Sequence, residues 1–133
     1  MEAIQPQMDI SADNSSPVPL ITIKYGSEGM LQYTGAQLSE RLVDEYEKLA
    51  DVKDNKSLIV DVQADTAGSP LIRALVNVHK RVLARKGQLI CAGYPKDFLP
   101  SLHALGLTSL PGFRLALNRE DALRSAENKV VRL

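Results

Sequence analysis

The chain has no tryptophan, a single cysteine and few aromatic side chains, 5% in all. One cysteine, Cys91, excludes an internal disulfide and fits a reducing cytoplasm. It stands inside the apolar run Gln88-Leu89-Ile90-Cys91-Ala92-Gly93 and reads as a small buried hydrophobe rather than a reactive thiol. Neither sign of charge is in excess, because 16 basic and 16 acidic side chains cancel. That balance gives no reason to expect a nucleic acid or an anionic membrane surface as partner. No stretch approaches the roughly 20 apolar residues that a spanning helix requires. The first residues lack the basic region and apolar core of a secretion signal, so a cytoplasmic location is expected.

Several chemistries lack their usual residues. There is no Gly-x-Ser-x-Gly turn for a hydrolase nucleophile and no glycine-rich phosphate loop. His79 and His103 fall on separate expected helices, and neither has a second His, Cys or acid at ligand spacing. The expectation is therefore a protein that is not an enzyme and that uses no metal or cofactor.

What is present suits one domain of 133 residues, 44% of them hydrophobic. Residues 1–19 are polar and punctuated by proline and read as a disordered leader. Residues 20–128 form the expected domain, and residues 129–133 are a short tail. Leu20–Tyr25 is rich in β-branched residues and meets a turn signal at Gly26-Ser27-Glu28-Gly29, with residues 30–34 as a short second strand. From Gly35 onward Leu38, Leu42, Val43, Tyr46 and Leu49 recur at helical spacing. The run Ser57-Leu58-Ile59-Val60-Asp61-Val62 lacks polar alternation and reads as a central strand covered on both faces. Leu71, Leu75, Val78 and Val82 then mark a helix that ends at Arg85-Lys86-Gly87, with Gly87 suited to a left-handed cap. A second buried strand at residues 88–93, a short helix at residues 98–107, a strand near Phe113 and a helix from Asn118 or Arg119 to about Asn128 complete the pattern. The order is strand, strand, helix, strand, helix, strand, helix, strand, helix. It predicts an α/β fold, a mixed and mostly parallel β-sheet with helices packed against it, the strand Leu20–Tyr25 at an edge.

Chemistry concentrates at one junction. After the strand at residues 57–62 come Asp65-Thr66-Ala67-Gly68-Ser69-Pro70 and then an amphipathic helix. A hydroxyl beside an acid thus stands at the mouth of a helix, where free N–H groups and the positive end of the dipole favour negative charge. Asp65 and Thr66 also serve as capping residues in such a place, and Ser69-Pro70 reads as a cap followed by a first-turn proline. Arg73, Lys80, Arg81 and Arg85 form a basic series that reads either as a solvated face or as a docking surface for an acidic partner.

This layout, with the strand-Asp-Thr-x-Gly-helix junction and the later elements Gln88 to Gly93, Leu102-His103-Ala104-Leu105-Gly106-Leu107 and Glu120-Asp121-Ala122, resembles the STAS domain family. The resemblance covers about residues 20–126 and is closest to the soluble branch of anti-sigma-factor antagonists. It implies a single STAS-like domain in which the residue after the loop aspartate, Thr66 here, is the phosphoacceptor. The implied partner is an anti-sigma factor or related serine/threonine kinase of the histidine-kinase-like ATPase fold. The implied binding surface is Asp65, Thr66, Gly68, Ser69, Pro70 and Arg73. The chain departs from the family pattern at Ala67, where a second hydroxyl is usual, at Ser69-Pro70, and at Gln32, the counterpart of an acid near the first helix. The other expectation is a STAS scaffold that is not phosphorylated, or a small-ligand-sensing interaction domain, with Thr66 as a cap.

Overall fold

The two most apolar runs of the chain lie side by side within a sheet. The computed structural model describes residues 9–13, 15–25, 35–64, 69–93, 100, 106 and 109–128. Strand β1 (Asp9–Ala12) pairs antiparallel with β2 (Leu20–Tyr25), and β2 pairs in parallel with β3 (Leu58–Ala64). Strands β4 (Leu89–Ala92) and β5 (Phe113–Ala116) follow in parallel, so the spatial order is β1-β2-β3-β4-β5. Ile59 and Ile90 are fully buried, as strands covered on both faces require. The described helices are α1 (Gly35–Val52), α2 (Ser69–Ala84) and α3 (Arg119–Asn128). The fold is α/β, with a mixed, mostly parallel sheet.

Residues 9–13 and 15–19, expected within a disordered leader, instead form a strand and a tied connection, while residues 1–8 and 14 lie outside the described residues. Ile10 turns into the core, and the ladder runs from Asp9 opposite Lys24 to Ala12 opposite Ile21. The connection to β2 is fixed by short-range bonds. Asp13 Oδ1 accepts from the Ser15 N–H at 2.9 Å and from its hydroxyl at 2.7 Å, an Asp-centred turn. Val18, whose N–H donates to Ser16 Oγ at 3.2 Å, is buried. Helix α1 and the residue that follows it hold this segment from outside, with Arg41 donating to Ile10 O at 3.2 Å and Lys53 to Ser16 O at 2.6 Å. As a result β2 is an inner strand and not the expected edge. Among the described residues the order is strand, strand, helix, strand, helix, strand, strand, helix. The expected strand at residues 30–34 and the tail lie outside the described residues, as does the helix at residues 98–107 apart from Pro100 and Gly106.

Alternation along the strands divides the interior into two cores. Ile21, Ile23, Val60, Val62, Leu89, Cys91 and Phe113 meet the stripes Leu38-Leu42-Tyr46-Leu49 of α1 and Leu71-Leu75-Val78-Val82 of α2. Leu20, Ile59, Ile90 and Ala92 face the other way and meet Ala122 and Ala126 of α3, with Val18 at their side. The first face is thus sealed by two long helices, and the second is covered by one of ten residues.

The end of α2 shows how tightly the first layer is tied. The Lys86 N–H reaches back to Leu83 O (2.9 Å) and the Gly87 N–H to Val82 O (3.0 Å). Lys86, at φ 68°, takes the left-handed position expected of Gly87. Gly87 is needed for a different reason: a Cβ there would stand 2.2 Å from Lys56 O. Glu47 of α1 pairs with Arg81 (3.5 Å) and Arg85, and Asp51 pairs with Arg85 (3.0 Å). Lys86→Gly should stabilise the fold by about 0.5–1 kcal/mol, since a left-handed non-glycine residue costs roughly 1–2 kcal/mol and the freer unfolded chain offsets part of the gain. Gly87→Ala should destabilise it by about 1–3 kcal/mol, because backbone stands in the way. Urea unfolding of both variants checks the pair.

Tyr46 is fully buried and its hydroxyl donates to Lys56 O at 2.5 Å. Burial raises its pKa to about 12, with Arg85 opposing and Glu47 adding to the shift. The unfolded value lies near 10, so the contribution of neutral Tyr46 is complete below about pH 10 and is lost as the pH rises toward the folded value. Tyr46→Phe should abolish that part of the alkaline decline and cost about 1 kcal/mol at neutral pH. Denaturant midpoints across the alkaline range, with ultraviolet titration of the phenols, provide the measurement.

Candidate functional site

The junction that carries the expected chemistry sits at the carboxyl end of β3. That strand stops at Ala64 and α2 begins at Ser69. Asp65, Thr66, Ala67 and Gly68 join the two and lie outside the described residues, as does Gln32. Ser69 and Pro70 are the first two residues of α2, where a cap and a first-turn proline belong. Arg73, in the next turn, is exposed. The structure therefore gathers Ser69, Pro70 and Arg73 at one helix start. It divides the basic series, because Arg81 and Arg85 are engaged by Glu47 and Asp51 of α1. Among the described residues no acid pairs with Arg73 or Lys80, and these two remain available to a partner.

The sequence reading passed over Asp61. This residue lies in the middle of β3, opposite Thr22 of β2 and Ala92 of β4, and is 5% exposed. A carboxylate taken out of water needs a partner to offset its lost hydration. Arg119, the first residue of α3, supplies it from the far end of the chain. Its Nε and Nη2 atoms donate to Asp61 Oδ2 at 3.2 and 3.0 Å, and Nη2 also donates to Thr22 Oγ1 at 3.0 Å. Gln63 Nε2 adds a bond to the same carboxylate oxygen at 3.1 Å. Asn118 sets the helix start by accepting the Asp121 N–H at 2.8 Å, which fixes where Arg119 emerges. On the opposite side Gly93, at φ +65°, leaves room for the carboxylate, since a Cβ would lie 2.7 Å from Asp61 Oδ1. A lone acid between Val60 and Val62 in a buried strand was the available signal.

Other titratable groups near the core are structural. Cys91 is fully buried, and burial, with the charge of Asp61 adding, pushes its thiol well above the usual range. It stays protonated and unreactive. His79 is buried with Nε2 at 2.9 Å from Pro111 O and its ring edge-on to Phe113. A carbonyl only accepts, so this nitrogen carries the proton. His103 lies outside the described residues. Among the described residues no group of three or more His, Cys, Asp or Glu converges as metal ligands, and no helix is long and apolar enough to cross a membrane. No protein-family model matches the chain, and none of the curated proteins matches it.

The Asp61–Arg119 pair makes a clear stability test. Arg119→Met should cost about 2–3 kcal/mol, because it strands a buried carboxylate. Asp61→Leu combined with Arg119→Met should recover most of that loss. Urea unfolding of the parent, the single variant and the double variant gives the comparison, and equal losses in both variants would mean the pair does not couple strand to helix.

Proposed function

We propose that this protein is a regulatory binding module of the anti-sigma-factor-antagonist kind, switched by phosphorylation of Thr66 and acting in the cytoplasm. One observation carries the reading: a four-residue connection, residues 65–68, joins a strand buried on both faces to the start of an amphipathic helix, and it contains the Asp-Thr-x-Gly order. Phosphate adds roughly −1.5 to −2 charge units, and helix N-terminal N–H groups partly accommodate them. The switch then works on the surface and leaves the fold intact. The α/β fold with its mostly parallel sheet fits the STAS layout in general form.

The partner on this reading is an anti-sigma factor or related serine/threonine kinase of the histidine-kinase-like ATPase fold. It encloses the segment from Asp65 to Pro70 and meets the exposed Arg73 near the start of α2. A dianion placed at the centre of that surface repels carboxylates or phosphates opposite it, and such like-charge contacts cost several kcal/mol. Release follows phosphorylation. No step of this role requires the chain to be an enzyme or to hold a cofactor.

Incubation with the partner kinase and ATP, followed by intact-mass and fragment analysis, tests the proposal. The parent should gain one phosphate on Thr66. Thr66→Ala should gain none while staying within about 1 kcal/mol of parental stability, the worth of one cap. Phosphate retained by the alanine variant would move the acceptor to Ser69 or elsewhere, and an unmodified parent would favour the scaffold reading.

A further inference from the structure

Among the described residues, helix α3 leaves part of its sheet face uncovered. Beyond Arg119 that face is built from Ser11 of β1, Thr22 and Lys24 of β2 and Gln63 of β3, the residues that alternate with Ile10, Ile21, Ile23 and Val62. With Ala12, Asp13 and Arg119 they line a cleft of about 350 Å³. It opens at the carboxyl ends of the parallel strands β2 and β3, where crevices of open α/β sheets receive ligands. The volume is at the small end of ligand sites, enough for one small molecule.

A solvated sheet face needs polar residues but no particular arrangement, and this one is arranged. Arg119 is held in place through Nε and Nη2, by Asp61 and Thr22, so its Nη1 donors are presented in a fixed direction. Among the described residues Lys24 has no paired acid, and it lines the same cleft. Ser11 and Thr22 add hydroxyls, and Gln63, whose Nε2 is tied to Asp61, completes the lining. The acid at the rim, Asp13, is turned to Ser15, whose hydroxyl and N–H, followed by the charge of Arg119, hold its carboxyl below the usual range. Asp61 pairs with Arg119, which leaves Lys24 as the cation of this lining without a paired acid among the described residues. The cleft therefore suits an oxyanion of low charge rather than a polyphosphate.

We propose that this cleft binds a small oxyanionic molecule, a carboxylate or a phosphate monoester, anchored by Lys24 and the fixed guanidinium of Arg119, with the Thr22 and Ser11 hydroxyls completing the donor set. None of the residues that line the cleft belongs to the connection at residues 65–68, so the assignment does not rest on phosphorylation of Thr66. Carboxylate and phosphate share this chemistry, and the test separates them. Amide and side-chain nuclear magnetic resonance signals of the full chain are followed during titration with succinate, with glycerol 3-phosphate, and with chloride at matched ionic strength. Succinate, glycerol 3-phosphate or both should shift Thr22, Lys24, Gln63 and Arg119 saturably, whereas chloride should not. The stronger ligand identifies the class. Lys24→Ala, at an exposed position, should weaken that binding about fivefold, as loss of one charged donor does, without altering the spectrum elsewhere. Absence of saturation with both ligands, shifts reproduced by chloride, or equal affinity in Lys24→Ala would overturn the assignment.

Discussion

A negative charge inside the sheet, and the arginine that answers it, organise one whole side of this molecule. Asp61 shares its face of β3 with Ile59, beneath α3, while Val60 and Val62 point to the opposite layer. The buried apolar contacts of α3 come from Ala122 and Ala126, small side chains that bury little area, with the partly buried Leu123 beside them. A helix of ten residues is marginal on its own. Small alanines over a flat apolar strip give attraction without register. The Arg119 bonds to Asp61 and Thr22 supply the register, and Asn118 fixes the turn from which Arg119 emerges.

The two faces of the sheet consequently differ in kind. On one, α1 and α2 seal a continuous apolar layer, locked to each other by Glu47, Asp51, Arg81 and Arg85 and to neighbouring backbone at Gly87. On the other, one short helix is pinned at its start, and the remaining surface is polar. Helix α2 belongs to the first layer, and the cleft belongs to the second through Arg119.

Residues whose pattern is long and apolar were legible in the sequence. The stripes of α1 and α2, the buried strands around Ile59 and Ile90, and the start of α3 near Asn118 all follow from periodicity and capping. β1 was not legible: four residues with one inward isoleucine, followed by polar residues and prolines, carry almost no alternation, and its order comes from contacts with β2 and α1. The cap of α2 was misplaced by one residue, since a glycine was available for the left-handed position and the chain instead uses Lys86 there and saves Gly87 for a close backbone approach. The Asp61–Arg119 pair joins positions 58 residues apart, a separation that no local pattern encodes. The acid alone was visible as an anomaly in an apolar strand.

Hydrogen exchange of backbone amides in the parent and in Asp61→Asn, under conditions where both remain folded, tests most directly whether this pair holds α3 to the sheet. The amides of α3, including Ala122 and Ala126, should lose protection in the variant while those in the middle of α1 and α2 keep theirs. Unchanged protection across α3, or an equal loss in all three helices, would contradict the assignment of that role to Asp61 and Arg119.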